Sequence, residues 1–158
     1  MDYHPCGICK SLNIIFFRYI SSKIFIYATP QEIWGILTNI TNWPLYFPDI
    51  HISSLDYPIK GVRTGATGTI KNLDSKIQPF TLVDLDKDHY FAYEIKLNGC
   101  KAHYFWEITE DVLGFELEMG VILTGWLAPF YRPFMKNHSD IYYEILVHLK
   151  DHLETVLD

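Results

Sequence analysis

The side chain best suited to proton-transfer chemistry in this sequence is His138. It falls on the apolar side of a predicted C-terminal helix, among Phe134, Met135 and Tyr142. Imidazole titrates near neutral pH, so it can serve as a general acid or base. A buried imidazole also needs a hydrogen-bond partner, which another side chain or a ligand could supply. Two interpretations of His138 therefore stay open, a structural histidine and an acid/base group.

A second group of candidate residues combines large apolar surfaces with polar tips. Tyr93 lies on the apolar face of the predicted strand 90–98. Tyr104 and Trp106 lie on the apolar face of the predicted strand 101–109. Such side chains also pack in ordinary cores, but together they favour a planar or elongated apolar ligand with one or two polar groups. The residues predicted to bind such a ligand are Tyr93, Tyr104, Trp106, Met119, Tyr131, His138 and Tyr142.

Cys6 and Cys9, with His4 nearby, have a spacing seen in metal and redox sites. A structural zinc site needs four ligands, and no second pair follows in this sequence. A redox pair normally opens a helix after a strand, whereas this pair is close to the N-terminus. An irregular N-terminal extension is the favoured interpretation.

His148 and His152 are four residues apart on the predicted helix and could share a metal. Residues 149–151 do not supply the glutamate pattern of a zinc protease, so a solvated helix edge is favoured. Asp84, Asp86 and Asp88 lack the glycine and distal glutamate of a calcium loop and are interpreted as turn residues. The sequence therefore predicts no metal, and no motif in it indicates a cofactor.

Composition and charge exclude several classes of function. The chain has 158 residues, which suits one domain, and its net charge of −6 argues against nucleic acid and anionic membrane surfaces as partners. Aromatic residues make up 16% of the chain, more than a compact core of this size needs. Such an excess is typical of a cavity wall or of an oligomer interface.

Cysteine content and hydropathy indicate the cellular compartment in which the protein is expected. Three cysteines, Cys6, Cys9 and Cys100, cannot form a disulfide framework, which favours reduced thiols and a cytoplasmic setting. The apolar run 12–17 is too short for a signal peptide and precedes Arg18 rather than a cleavage site. No run approaches the roughly 20 apolar residues that span a bilayer, so stable membrane insertion is not expected.

Hydrophobic periodicity predicts the elements that position these residues. A first strand is expected at 22–27, followed by a helix that starts at Thr29, where Glu32 can complete a capping box and Pro30 suits the first turn. A short second helix is expected around 45–47. Asn98-Gly99 is a hairpin signal. Six further strands of alternating character are predicted at 50–57, 66–73, 79–85, 90–98, 101–109 and 114–123.

The C-terminal segment predicts a long amphipathic helix that begins near Gly125 and is disturbed by Pro129 and Pro133. The run 126–131 could form a gate to a cavity or a surface patch for a partner or membrane. At about 100° per residue, its apolar stripe contains Tyr131, Phe134, Met135, His138, Tyr142, Ile145, Leu149, Leu153 and Val156.

At this point the sequence resembles the START-like, or SRPBCC, helix-grip superfamily, in particular its polyketide cyclase/dehydrase and lipid transport branch. The resemblance spans about residues 22–156, and its motifs mark a fold rather than a reaction. The helix after Thr124-Gly125 fits it too. The other residues that carry it are Ala28-Thr29-Pro30-Gln31-Glu32-Ile33-Trp34, Leu37-Thr38-Asn39, Trp43-Pro44 and Gly65-Ala66-Thr67-Gly68-Thr69.

The resemblance implies an α+β helix-grip fold, in which a curved antiparallel sheet of about seven strands wraps a long C-terminal helix and two short helices follow the first strand. Residues 1–21 would be an N-terminal extension, partly ordered and able to begin the first strand, and 22–158 a single domain. The family's members bind hydrophobic ligands between sheet and helix, and the superfamily has no shared catalytic residue.

Three functions follow as expectations. The first is binding, or transport, of a small hydrophobic ligand such as a lipid, a quinone or an aromatic polyketide. The second is an enzyme, a cyclase or dehydratase that uses His138 as acid/base; a ligand-binding protein is favoured over it. The third is an interaction module that uses the aromatic segment near Trp126.

Overall fold

The computed structural model describes residues 18–73, 75–135 and 137–155. Short 3₁₀ turns occur at Ile40–Asn42, Pro58–Lys60 and Arg132–Met135. Cys6 and Cys9 lie outside the described residues. The strands and α-helices are β1 (Arg18–Ile26), α1 (Pro30–Thr38), α2 (Trp43–Tyr46), β2 (Ile50–Leu55), β3 (Thr67–Asn72), β4 (Gln78–Asp86), β5 (Tyr90–Leu97), β6 (Cys100–Asp111), β7 (Gly114–Thr124), α3 (Ala128–Tyr131) and α4 (His138–Thr155).

The seven strands form one antiparallel sheet in the order β1-β7-β6-β5-β4-β3-β2. Register shifts between Ile50 and Ile52 and between Leu82 and Asp84 bend it, as β-bulges do. The predicted α+β helix-grip architecture is confirmed, with each predicted strand present within a few residues. Strand β1 begins at Arg18, inside the segment assigned to the N-terminal extension, as the sequence allowed.

Local signals set two of the boundaries. At the start of α1, the Glu32 amide donates to the Thr29 hydroxyl (3.3 Å) and the Thr29 amide donates to the Glu32 carboxylate (2.8 Å), so the predicted capping box is confirmed. Between β5 and β6, Asn98 and Gly99 form a two-residue hairpin loop in which Gly99 takes a φ of 62°.

Helix α4 is attached to β1 along its length. The Ser22 hydroxyl donates to the Ser139 carbonyl (2.6 Å) near the start of the helix. Near its end, the Lys150 ammonium donates to the Phe25 carbonyl (3.0 Å), and the Tyr27 amide donates to the Glu154 carboxylate (3.0 Å). These contacts hold the helix over one edge of the sheet.

The C-terminal segment is irregular at its two prolines, as predicted, but its long helix begins later than Gly125. Pro129 and Pro133 divide the segment into α3 and a 3₁₀ turn, and α4 begins only at His138. A 3₁₀ turn advances with three residues per turn rather than 3.6, so it shifts the phase of the apolar stripe. Phe134, predicted to point inward, is 80% exposed, and Leu146, which the stripe omitted, is fully buried.

A cluster of aromatic rings centred on Trp43 fills the middle of the core. Trp43 is fully buried, and its indole nitrogen donates to the Leu37 carbonyl (3.0 Å). Its ring lies 5.6 to 6.0 Å, between centroids, from those of Phe47, Phe80, Phe91, Tyr93 and Trp106.

The outer face of the sheet, away from the cavity, is buried at its centre even though it carries polar residues. Phe105 is buried there because its ring stacks with those of Tyr19 (5.8 Å) and Tyr90 (6.0 Å). The neighbouring Glu118 is buried as well, and it accepts a hydrogen bond from the Tyr19 hydroxyl and contacts Lys23 (3.5 Å).

Candidate ligand-binding cavity

The interior is not packed throughout, because a cavity of about 340 Å³ separates α4 from the sheet beside the Trp43 cluster. It opens to solvent past Asn72, Leu73 and Ile141, which are exposed. Its lining residues are Phe47, Asp49, Ile50, Ile70, Asn72, Leu73, Ser75, Gln78, Tyr93, Ile95, Tyr104, Trp106, Met119, His138, Ile141 and Tyr142.

Strand register explains how the sheet supplies its part of the wall. Tyr93 on β5 lies opposite Tyr104 on β6, and Trp106 on β6 lies opposite Met119 on β7. Paired residues in a sheet project from the same face. The two tyrosine rings consequently stack, with centroids 5.1 Å apart, and Trp106 lies 5.8 Å from Tyr93.

Helix α4 supplies the opposite wall. His138, Ile141 and Tyr142 follow the helical spacing of three and four residues, so they share one face. The His138 and Tyr142 rings meet edge to face, with centroids 5.8 Å apart. Six of the seven side chains that the sequence singled out therefore surround one space.

Tyr131 is the exception, since it does not line the cavity. It belongs to the short helix α3, before α4 begins, and its hydroxyl donates to the Asn98 carbonyl in the β5–β6 hairpin (3.2 Å). The same proline-broken segment that shifts Phe134 outward thus places Tyr131 against the hairpin, and its assignment to the cavity wall is corrected.

Four polar residues of the wall were missed by sequence reasoning: Asp49, Asn72, Ser75 and Gln78. Asp49 lies between α2 and β2, where its Oδ2 atom accepts a hydrogen bond from the Asn72 amide (3.4 Å) and its backbone carbonyl accepts one from Leu73 (3.1 Å). The residue as a whole is partly exposed, but its Oδ1 atom is buried. The only sequence signal is a carboxylate flanked by Pro48 and the apolar start of a strand.

Unpartnered polar atoms concentrate at this cavity. Within the described residues, five buried side-chain nitrogen or oxygen atoms have no hydrogen-bond partner, and four of them belong to cavity residues. Such atoms are rare in folded proteins because each carries a desolvation cost. The four are Asp49 Oδ1, Trp106 Nε1, His138 Nδ1 and Tyr142 Oη.

Burial changes the acid–base properties of the wall. It raises the pKa of the Asp49 carboxyl above its usual range and lowers the pKa of His138. It also raises the pKa of Tyr104 to about 12 and that of Tyr142 further, and in both cases the nearby charge of Asp49 adds to the increase. The phenols of the cavity therefore stay protonated at neutral pH, and burial opposes the charged forms of both His138 and Asp49.

The other candidate residues lie apart from this cavity. His152 packs on the Tyr46 ring (5.0 Å), and His148 is exposed. The Asp88 carboxylate accepts a hydrogen bond from Gln31 (3.3 Å). Among residues 18–73, 75–135 and 137–155, no three His, Cys, Asp or Glu side chains come together as metal ligands.

The aromatic segment near Trp126 is exposed. This segment leaves 70% of the Trp126 surface and 69% of the Phe130 surface in solvent. Its use as an interaction surface stays a prediction. None of the described helices combines the length and the apolar character needed to cross a lipid bilayer.

No protein-family model and no curated protein matches the chain. Solved structures do match. The di-domain ARO/CYC StfQ from the steffimycin biosynthetic pathway is 12% identical with a TM-score of 0.72, over 90% of this chain and 52% of StfQ. The chain thus spans about half the length of that protein. Major latex-like protein 151 from Panax ginseng is 10% identical with a TM-score of 0.70, over 87% of this chain and 98% of the ginseng protein.

A protein from Mesorhizobium loti is 14% identical with a TM-score of 0.68, over 89% of this chain and 99% of its own. At such low identities these likenesses establish the fold and leave the activity open, because one fold supports many functions.

Proposed function

Because the chain has the helix-grip fold of the START-like (SRPBCC) superfamily, we propose that it binds a small, largely apolar molecule in the cavity between α4 and the sheet. The observation that carries the proposal is the 340 Å³ space itself, which persists beside a tightly packed aromatic cluster. Aromatic and aliphatic walls with a few polar atoms are typical of ligand pockets. A lipid, a quinone or an aromatic polyketide has this character.

Apolar burial would supply the main favourable free energy of binding. At about 25 cal/mol per Å², about 300 Å² of buried ligand surface contributes about 7.5 kcal/mol, against an association cost of at least about 4 kcal/mol. Accessible polar residues of the wall such as Asn72 and Gln78 would then orient the ligand by hydrogen bonds.

A cavity-blocking substitution tests this proposal. Ile141 lies at the mouth of the cavity and is 39% exposed, so Ile141→Trp can place its larger ring over the opening with little disturbance of the core. We expect it to weaken binding of a neutral apolar dye such as Nile red at least about fivefold, measured by fluorescence titration.

The matched control is Tyr143→Trp, on the same helix but outside the cavity lining and 52% exposed. It adds a similar ring and should leave dye binding within about twofold of wild type. Equal binding by wild type and Ile141→Trp, with both proteins folded by circular dichroism, would contradict a ligand site in this cavity.

A second candidate function is a cyclase or dehydratase acting on an aromatic polyketide. It is favoured by one observation, that the imidazole of His138 and the carboxyl group of Asp49 line the same cavity. Two such groups on one substrate could remove and return a proton. Since burial lowers the pKa of His138, its neutral ring would act as the base at neutral pH.

If this candidate is correct, His138→Ala should reduce turnover of a polyketide cyclase substrate at least about tenfold while leaving its binding nearly unchanged. Product formation followed by chromatography measures the rate. His148→Ala, which removes an exposed histidine of the same helix, should keep the wild-type rate. Unchanged turnover in His138→Ala would remove His138 from any catalytic role.

A further inference from the structure

The charge and ring content of the cavity wall restrict the kind of ligand it can take. Asp49 is the only acidic residue among the described residues that line it, and none of those residues is a lysine or an arginine. Burial also keeps His138 predominantly neutral at neutral pH, because it lowers the pKa of that ring. The described wall therefore has one carboxyl group and no positive side chain to balance its charge when it ionises.

The negative charge is incompletely satisfied within the protein. The Asp49 carboxylate accepts a long hydrogen bond from the Asn72 side-chain amide at Oδ2 (3.4 Å) and is stabilised by its own backbone amide, but Oδ1 is buried with no side-chain partner. A buried carboxylate oxygen in this condition costs free energy unless a donor or a cation reaches it. A cationic group bound in the cavity near this carboxylate would offset part of this cost.

The aromatic rings that line the cavity with Asp49 also favour a positively charged ligand. Tyr93, Tyr104, Trp106 and Tyr142 all line the cavity. Burial is the main cause of the raised pKa of Tyr93, Tyr104 and Tyr142, and the nearby charge of Asp49 adds to it. The faces of tyrosine and tryptophan rings attract organic cations, and several rings together form the cages that bind ammonium groups. A carboxylate beside such rings strengthens this attraction.

Building on the proposed function, we propose that the ligand is an organic cation, with a protonated amine or quaternary ammonium group near Asp49 and an apolar body along the aromatic rings. An anionic ligand would meet the Asp49 charge with no described positive side chain to offset it. A neutral ligand would leave that charge uncompensated in the cavity.

Three indole compounds of similar size and different charge test this proposal: tryptamine, which is cationic, tryptophol, which is neutral, and indole-3-propionate, which is anionic. In isothermal titration calorimetry at pH 7 and low salt, we expect the full-length protein to bind tryptamine at least about tenfold more tightly than tryptophol. Indole-3-propionate should bind more weakly than either.

The variant Asp49→Asn keeps the size of the side chain and removes its charge. It should lose most of the preference for tryptamine while its affinity for tryptophol stays within about twofold of wild type. Asp86→Asn, which neutralises an exposed carboxylate on β4 outside the cavity lining, should retain the wild-type order of affinities.

The outcomes separate this proposal from the one on which it rests. Equal affinities for the three indoles, or a tryptamine preference that survives in Asp49→Asn, would overturn the cation proposal and leave binding of an apolar ligand intact. If neither the indoles nor Nile red bind the wild-type protein, both proposals fail.

Discussion

Replacing Trp43 with alanine is expected to lower the free energy of unfolding by about 4 kcal/mol. The side chain is fully buried and contacts five other aromatic rings, so its removal loses apolar burial and leaves a void. It also leaves the Leu37 carbonyl without the indole donor that now lies 3.0 Å away. Urea denaturation followed by far-ultraviolet circular dichroism measures the change.

Trp126→Ala is the control for this experiment, because it removes the same ring from a position that is 70% exposed. It should change the free energy of unfolding by no more than about 0.5 kcal/mol. Similar losses for the two variants would show that the cluster around Trp43 is not the centre of the core.

Replacing Asp49 with asparagine is expected to act in the opposite direction and raise the free energy of unfolding at pH 7 by about 2 kcal/mol. The substitution removes a charge whose Oδ1 atom is buried without a partner, while the Asn72 contact can be kept. If the proposed cation site is correct, one variant would therefore gain stability and lose affinity for tryptamine.

The pH dependence identifies the origin of this gain. Because the pKa of Asp49 is raised in the folded protein, its protonated form contributes stability below the ordinary value of 3.8, and this contribution is lost as pH rises through the folded pKa. The advantage of Asp49→Asn over wild type should therefore grow with pH across that window and then level off.

The lowered pKa of His138 has the opposite sign, since it costs stability as pH falls below the ordinary value of 6.5. Because this contribution is present in both proteins, it cancels in the comparison. Asp86→Asn should show no such pH-dependent advantage. Lower stability of Asp49→Asn at pH 7 would mean that the carboxylate is well compensated within the protein.

Sequence reasoning succeeded where the pattern is local. Alternation along β5, β6 and β7 fixes which side chains share a face, so Tyr93, Tyr104, Trp106 and Met119 could be grouped on one wall from periodicity alone. The Thr29 cap and the Asn98-Gly99 hairpin are likewise determined within a few residues.

Asp49 could not be found in this way. It lies in the connection between α2 and β2, where no periodicity applies. Its place in the cavity wall depends on the pairing of β2 with β3, which also brings Asn72 beside it. Tyr131 and Phe134 were misplaced because the prolines change the helical phase before α4. The burial of Phe105 depends on Tyr19, which is distant in the chain.

The attachment of α4 to the β1 segment determines which side of the cavity is closed to solvent. Ser22, Phe25 and Tyr27 hold the helix on one flank, so that flank stays closed as long as these contacts persist. The opposite flank presents Asn72 and Leu73 to solvent, away from these three attachments. If the proposed ligand binds in the cavity, it can enter and leave beside Asn72 and Leu73 without breaking the contacts between α4 and the β1 segment.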